Sequence, residues 1–182
     1  MVQEAKKLHR KELLKKRNSL SEEEHVSMGK AITEKLFSRP RVKEAKAIAF
    51  YLHKGSEVRT SVMIKKALSL GKEVLIPVTD HEITLFRFLS FEDLQKGKYG
   101  ILEPKTREAP SRPPDVIVIP GITFGLCMHR IGYGKGYYDK YLGKSFAYRV
   151  GICYDFQVME KLPTHPNDQR MDEIITEKRI II

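Results

Sequence analysis

Apolar positions change their period several times along the chain, and each change marks an element. Residues 2–17 are dense in charge, with Leu8, Leu13 and Leu14 as a thin apolar stripe. That spacing predicts a helix, which Asn18-Ser19 breaks. Ser21-Glu22-Glu23-Glu24 has capping-box spacing, a hydroxyl followed three residues on by a carboxylate, and opens a second helix to about Phe37. Pro40 is expected to end that region. Residues 47–52 are a short apolar run and predict a strand. Residues 58–70 return to helical spacing, with Gly71 at the C-terminal cap. Val74-Leu75-Ile76 predicts a strand stopped by Pro77, and residues 83–89 alternate as a half-exposed strand should. Residues 97–114 read as a connector rich in Pro, Gly and charge. Residues 116–119 and 148–153 are further apolar strands, 156–162 a short helix, and 173–176 and 179–182 extended segments.

Helices that alternate with continuous apolar strands predict a single-domain, three-layer, Rossmann-like α/β fold. Its sheet is mostly parallel and flanked by helices. Ligands of such folds bind beyond the carboxyl ends of the strands. The segments after Leu52, Ile119 and Cys153 lie there, and all three carry polar or flexible residues.

Composition narrows the class. The chain has 182 residues, enough for one domain with a sizeable core. No apolar run reaches the roughly 18 residues that span a bilayer. The N-terminus is charged and lacks an apolar signal core. Cys127 and Cys153 are too few for a disulfide framework, so a reducing cytoplasm is expected. Neither cysteine is given a catalytic role, and the isolated His53, His81, His129 and His165 are given no metal. The formal charge is +10. Its one dense stretch is Lys6, Lys7, Arg10, Lys11, Lys15, Lys16 and Arg17. Three readings stay open for it: a solvated helix face, a surface for a polyanionic small molecule, and an RNA-binding module, though no aromatic-rich RNA motif accompanies it.

Residues 130–139, Arg-Ile-Gly-Tyr-Gly-Lys-Gly-Tyr-Tyr-Asp, are the most informative segment. Three alternating glycines expose main-chain N–H groups, and Arg130 and Lys135 add positive charge. Followed by a helix, this is an anion site, with Asp139 placed to hold a metal beside it. A plain glycine turn is the competing reading. The end of the Walker pattern occurs at Gly143-Lys144-Ser145, but Tyr138 stands where its first glycine is needed. A dinucleotide fingerprint fails on its G-x-G-x-G spacing and on its distance from the preceding strand.

Residues 119–142 resemble the signature of the 5-formyltetrahydrofolate cyclo-ligase (methenyltetrahydrofolate synthetase) family. The match comprises Ile119-Pro120-Gly121, Phe124 and the run from Arg130 to Leu142. Supporting stretches are Lys6 and Arg10, residues 57–60, residues 99–104, Phe156-Gln157 and residues 163–172, so the likeness covers nearly the whole chain. Gly125 stands where the family usually has Asp, and Met128 where a glycine is usual. These departures leave open a paralogue without folate activity.

The resemblance implies a soluble monomer that binds neither nucleic acid nor membrane. It implies closure of 5-formyltetrahydrofolate to 5,10-methenyltetrahydrofolate, driven by Mg²⁺ and ATP, with release of ADP and phosphate. Arg130 and Tyr138 become the catalytic residues. Lys6, Arg10, Arg130, Gly132, Gly134, Lys135, Gly136, Tyr137 and Asp139 become the ATP site, with Asp139 also the Mg²⁺ ligand. Glu57, Phe124, Tyr138 and Gln157 become the folate site. Lys6 and Arg10 are four apart and share one helical face. Without the resemblance, Glu57 reads equally as a helix-start acid, and Phe124 and Gln157 as core.

Overall fold

Five apolar segments lie parallel, side by side, and set the architecture. The fold is a computed structural model that describes residues 2–182, with side chains from Arg10 onward, Tyr99 excepted. In chain order the elements are α1 (Val2–Asn18), α2 (Glu22–Ser38), α3 (Pro40–Glu44), β1 (Ala47–Ala49), α4 (Ser61–Ser69), β2 (Glu73–Thr79), β3 (Ile83–Arg87), β4 (Leu94–Lys96), β5 (Leu102–Pro104), β6 (Val116–Ile119), β7 (Thr123–Gly125), β8 (Arg130–Ile131), α5 (Tyr137–Leu142), β9 (Tyr148–Ile152), β10 (Val158–Met159), β11 (Glu173–Ile175) and β12 (Ile180–Ile181). The large sheet runs β12-β11-β9-β6-β1-β2-β3. Its five central strands are parallel, while β12 and β3 run antiparallel at the edges.

Successive strand residues point to opposite faces and divide the core in two. Ile48, Val74, Val116, Val118, Val150 and Ile175 pack against Ile32 and Leu36 of α2 and Met63 and Ile64 of α4. Ala49, Leu75, Ile117, Ile119 and Ile174 pack on the other face against Leu142 of α5 and against Phe124 and Met128. Phe124 belongs to a small second sheet, β10-β7-β8. The expected three layers are present, but the second outer layer is one short helix and this small sheet.

Local signals held where the chain itself supplies the bonding partner. Ser21 Oγ accepts from Glu24 N, and the Glu24 side chain accepts from Ser21 N, completing the capping box of α2. Gly71 ends α4 at φ 71°, a conformation glycine adopts without a Cβ clash.

Several boundaries moved. α2 ends at Ser38, before Pro40 as expected, but Pro40 also opens the short α3, in whose first turn a missing N–H leaves nothing unsatisfied. The strand over 47–52 ends at Ala49, and α4 starts at Ser61 rather than 58. Tyr51 donates its hydroxyl to Val58 O, and Thr60 Oγ1 donates to Tyr51 O, so the intervening residues form a pinned loop. Pro77 does not stop β2. The β1 ladder already ends at Leu75, and beyond it β2 pairs only with β3, so one flank needs no N–H. The connector contains β5, which pairs antiparallel with β4 just before it, Leu94 opposite Pro104. The helix expected over 156–162 is a 3₁₀ turn at Asp155–Gln157 followed by β10. Val158 and Met159 pair with Phe124 and Gly125, and that distant ladder overrides local helical spacing.

A loop cluster at the carboxyl ends of the strands

The chain leaves β1, β6 and β9 at the same end of the sheet, and the chemistry gathers there. Gly132 to Gly136 connect β8 to α5. Gly134 has φ 93° and Gly136 φ 71°, so both need glycine. The glycines also admit two guanidinium groups. Arg10 Nε donates to Gly132 O at 2.8 Å. A Cβ at Gly134 would come within 3.3 Å of Arg10 Nη2, and one at Gly132 within 3.0 Å of Arg130 Nη1. The loop therefore lies between two arginines, one from α1 and one from β8. The helix that follows has only six residues. Its dipole is small, so the positive potential here comes chiefly from side chains rather than from the helix end.

Arg130 is 7% exposed. Its Nη2 donates to Asp139 Oδ1 at 3.3 Å, and its guanidinium carbon lies 5.4 Å from the centre of the Tyr138 ring. Its Nε has no hydrogen-bond partner among the described residues. Arg39 Nε and Glu173 Oε1 also lack one, but they face each other as an ion pair. Burial holds the Arg130 pKa below the ordinary arginine value, with the Asp139 carboxylate opposing that shift. A buried donor left without a partner costs about 1–3 kcal/mol, which a bound anion would recover. Asp139 Oδ1 also accepts from Gln169 N at 3.2 Å. Burial pushes the Tyr138 hydroxyl well up, so it stays protonated.

On the other side of the loop, Glu57 is 6% exposed. Lys54 N donates to its Oε2 at 2.8 Å, and Tyr133 donates its hydroxyl to Oε1 at 3.0 Å. Burial raises the Glu57 pKa, while the Lys54 N–H, the Arg17 charge and the Tyr133 hydroxyl oppose the shift. Glu57 lies before α4 starts, in the pinned loop, and is not a first-turn helix acid.

The structure brings together Arg10, the glycine loop, Arg130, Tyr138, Asp139 and Glu57. Lys135 is exposed on the loop. Tyr137 packs partly against the second core cluster. The Lys6 side chain lies outside the described residues. Phe124 and Gln157 differ from their expected places. Phe124 is fully buried, wedged so tightly between Gly121 and Gly151 that a Cβ at either would overlap its ring. Gln157 Nε2 donates to Ile122 O at 2.7 Å and its Oε1 accepts from Tyr154 N at 3.0 Å. Both residues brace the loop after β6 from behind and present no open surface. Cys153 is buried, and burial raises its thiol pKa.

Arg17 and Tyr133 were missed as site residues. Arg17 is 3% exposed and donates to Ser56 Oγ, Gly121 O and Tyr133 Oη. Its signal was available: it lies seven residues, two helical turns, after Arg10 and so on the same face of α1.

Gly125 and Met128 acquire physical meaning. A Cβ at Gly125 would lie 2.8 Å from Cys127 Sγ and 3.0 Å from Leu162 Cγ, leaving no room for an aspartate. Met128 holds φ 64°, which costs a non-glycine residue about 1–2 kcal/mol. Its side chain is buried in the second core cluster, and that burial, about 2 kcal/mol, offsets the strain. Both positions lie at the β7–β8 turn, between Phe124 and Arg130.

A parallel sheet whose carboxyl edge carries a glycine loop between two arginines defines an α/β protein with fixed positive charge gathered at that edge. The sequence profile described as the 5-formyltetrahydrofolate cyclo-ligase family matches residues 2–177, and the chain belongs to that family. The NMR structure of Aquifex aeolicus 5,10-methenyltetrahydrofolate synthetase is 38% identical, with a TM-score of 0.86 over 96% of this chain and 91% of that one. A 5,10-methenyltetrahydrofolate synthetase from Mycoplasma pneumoniae is 26% identical, with a TM-score of 0.76 over 94% and 98%. A probable 5-formyltetrahydrofolate cyclo-ligase of Schizosaccharomyces pombe is 31% identical, over 83% of this chain and 84% of its own.

Proposed function

We propose that this chain, acting as one domain, closes 5-formyltetrahydrofolate to 5,10-methenyltetrahydrofolate at the expense of Mg-ATP. The observation that carries this reading is Arg130. It is a buried guanidinium whose Nε has no partner among the described residues, at the root of a glycine loop, in a chain that belongs to the cyclo-ligase family. A formamide oxygen leaves poorly. Its attack on the γ-phosphorus of ATP breaks the bond to ADP and makes it part of a phosphate ester. N10 then attacks the formyl carbon and loses its proton, the C–O bond breaks, and phosphate departs.

Phosphoryl transfer is chiefly positioning and charge neutralisation. Arg10 and Arg130 supply fixed positive charge on either side of the loop, joined by Lys135. The N–H groups of residues 132–137 line the phosphates. The donor set fits Mg²⁺. Asp139 Oδ2 takes no hydrogen bond from the described residues, and no cage of three His, Cys, Asp or Glu side chains gathers among them. Mg²⁺ characteristically takes one or two carboxylates and the phosphates themselves. When bound, it neutralises charge on the phosphoryl oxygens. Tyr138, kept protonated, orients the formyl group, and the Glu57 carboxylate accepts the pterin's N–H donors. Phe124 and Gln157 support the pocket from behind.

The test is direct, because the methenyl product absorbs in the near ultraviolet. Product should form from 5-formyltetrahydrofolate only with ATP and a divalent ion, with ADP released. Turnover without nucleotide, or none with it, overturns the reading.

A further inference from the structure

Arg17 is a buried cation that forms no ion pair with a carboxylate among the described residues. Its donors go to Ser56 Oγ at 3.0 Å, Gly121 O at 3.3 Å and Tyr133 Oη at 2.9 Å. Those three acceptors belong to the loop after β1, the loop after β6 and the glycine loop. One guanidinium thus ties α1 to three separate loops at the carboxyl edge. The Tyr133 hydroxyl accepts from Arg17 and donates to Glu57 Oε1, so its single proton has a fixed direction. Tyr133 is itself largely exposed, and a chain of this kind holds its position only while both ends are occupied.

We propose that Arg17 is a positioning residue that acts through Tyr133 to hold the Glu57 carboxylate in place for the folate. The inference rests on the role given to Glu57 above and extends it to a relay that starts on α1. A helix-borne arginine is suited to this, since its planar fork reaches several acceptors at once, which lysine does not. The relay also bears on charge. Glu57 faces Arg17 from α1, Lys54 on its own loop, Tyr133 from the glycine loop, Tyr51 after β1 and Tyr138 from α5. Burial raises its pKa, and Arg17, Lys54 and the Tyr133 hydroxyl pull it back. Loss of Arg17 therefore moves protonation of Glu57 to higher pH.

The experiment measures the folate KM and kcat across pH at saturating ATP, with thermal midpoints as the folding control. Arg17→Met should raise the folate KM about tenfold, the loss expected for a charge-assisted bond. The pH below which KM climbs should move upward, with a smaller change in kcat. Arg17→Lys keeps the charge but not the fork, so it should return the pH position while leaving KM raised. Tyr133→Phe removes one exposed hydroxyl and should act in the same direction, more weakly. If Arg17→Met does not fold, Tyr133→Phe carries the test, and an unchanged KM and pH profile there overturns the relay. A uniform loss of kcat with an unmoved pH profile would likewise leave Arg17 as a structural tie alone. Glu57→Gln separates the two levels. An unchanged folate KM in that variant removes the role of Glu57 itself, whereas a raised KM beside a normal Arg17→Met removes only the relay.

Discussion

The two ends of the central sheet use charge in opposite ways. A concavity of about 950 Å³ opens at the amino ends of the strands, beside Ala45, Asp115, Tyr148 and Asp172. Four cations and four carboxylates line it: Arg41, Arg112, Lys140 and Lys144 against Glu44, Glu82, Asp115 and Asp172. Two of its carboxylates are in structural use. Asp115 Oδ2 accepts from Lys46 N and Ala47 N, and Asp172 Oδ2 accepts from Arg149 N, so each caps strand ends. At the carboxyl ends Arg130 carries a buried donor with no partner among the described residues, and Glu57 is an acid made harder to ionise by burial. A perturbed group that the described fold does not itself satisfy, as Arg130 is, marks a candidate functional site.

Breaking the carboxyl end should have the largest effect. Arg130→Ala should lower kcat about 10²-fold or more if the guanidinium stabilises transferring charge. Turnover is the measurement, in protein shown to be folded, and near-normal kcat removes Arg130 from the chemistry. Next is Arg10. Arg10→Ala should weaken a non-hydrolysable ATP analogue about tenfold by titration calorimetry and leave the folate KM nearly unchanged. Added salt should weaken the parent more than Lys6→Ala/Arg10→Ala, which has fewer charges to screen. Equal affinities would mean that α1 does not face the nucleotide.

The amino end should respond in stability and not in turnover. Burial alone would raise the Asp115 pKa, but the N–H bonds from Ala47 and Lys46 outweigh it and lower the value. A lowered pKa contributes stability above the unfolded value, lost as pH falls through the folded one. Asp115→Asn should therefore cost a fraction of about 1 kcal/mol at neutral pH, because solvent screens an exposed carboxylate. That difference should shrink as pH falls below the ordinary carboxylate value, with kcat and both KM values normal. A fall in kcat would merge the two ends that the structure separates.

The smallest effect has the opposite sign. Burial raises the Glu57 pKa, so its ionised form opposes folding. The stability contribution is fully present below the unfolded pKa and lost as pH rises through the folded one. Glu57→Gln should melt slightly higher than the parent at neutral pH. The gap should open between the ordinary glutamate value and the raised one, even as folate binding weakens. A variant that melts lower at every pH would assign Glu57 a structural role.

The amino-acid sequence by itself determined what depends on neighbours along the chain. The α2 capping box, the Gly71 cap and the strand identities of residues 74–76, 116–119 and 148–152 all follow from contacts within a few residues or from burial on both faces. The glycine loop was legible because positive φ at residues 134 and 136 demands a residue without Cβ. Tertiary structure decided what depends on a distant partner. Residues 158–159 became a strand because Phe124 and Gly125 offered a ladder, and β2 ran through Pro77 because one flank was open. Phe124 and Gln157 were read as ligand contacts, yet the chain folded them behind the loop, since only the packed fold tells which side of a backbone faces solvent. Arg17 looked like one more charge in a basic run. Folding buried it, because three loops distant in sequence meet at the carboxyl edge and need one rigid fork of donors to hold them.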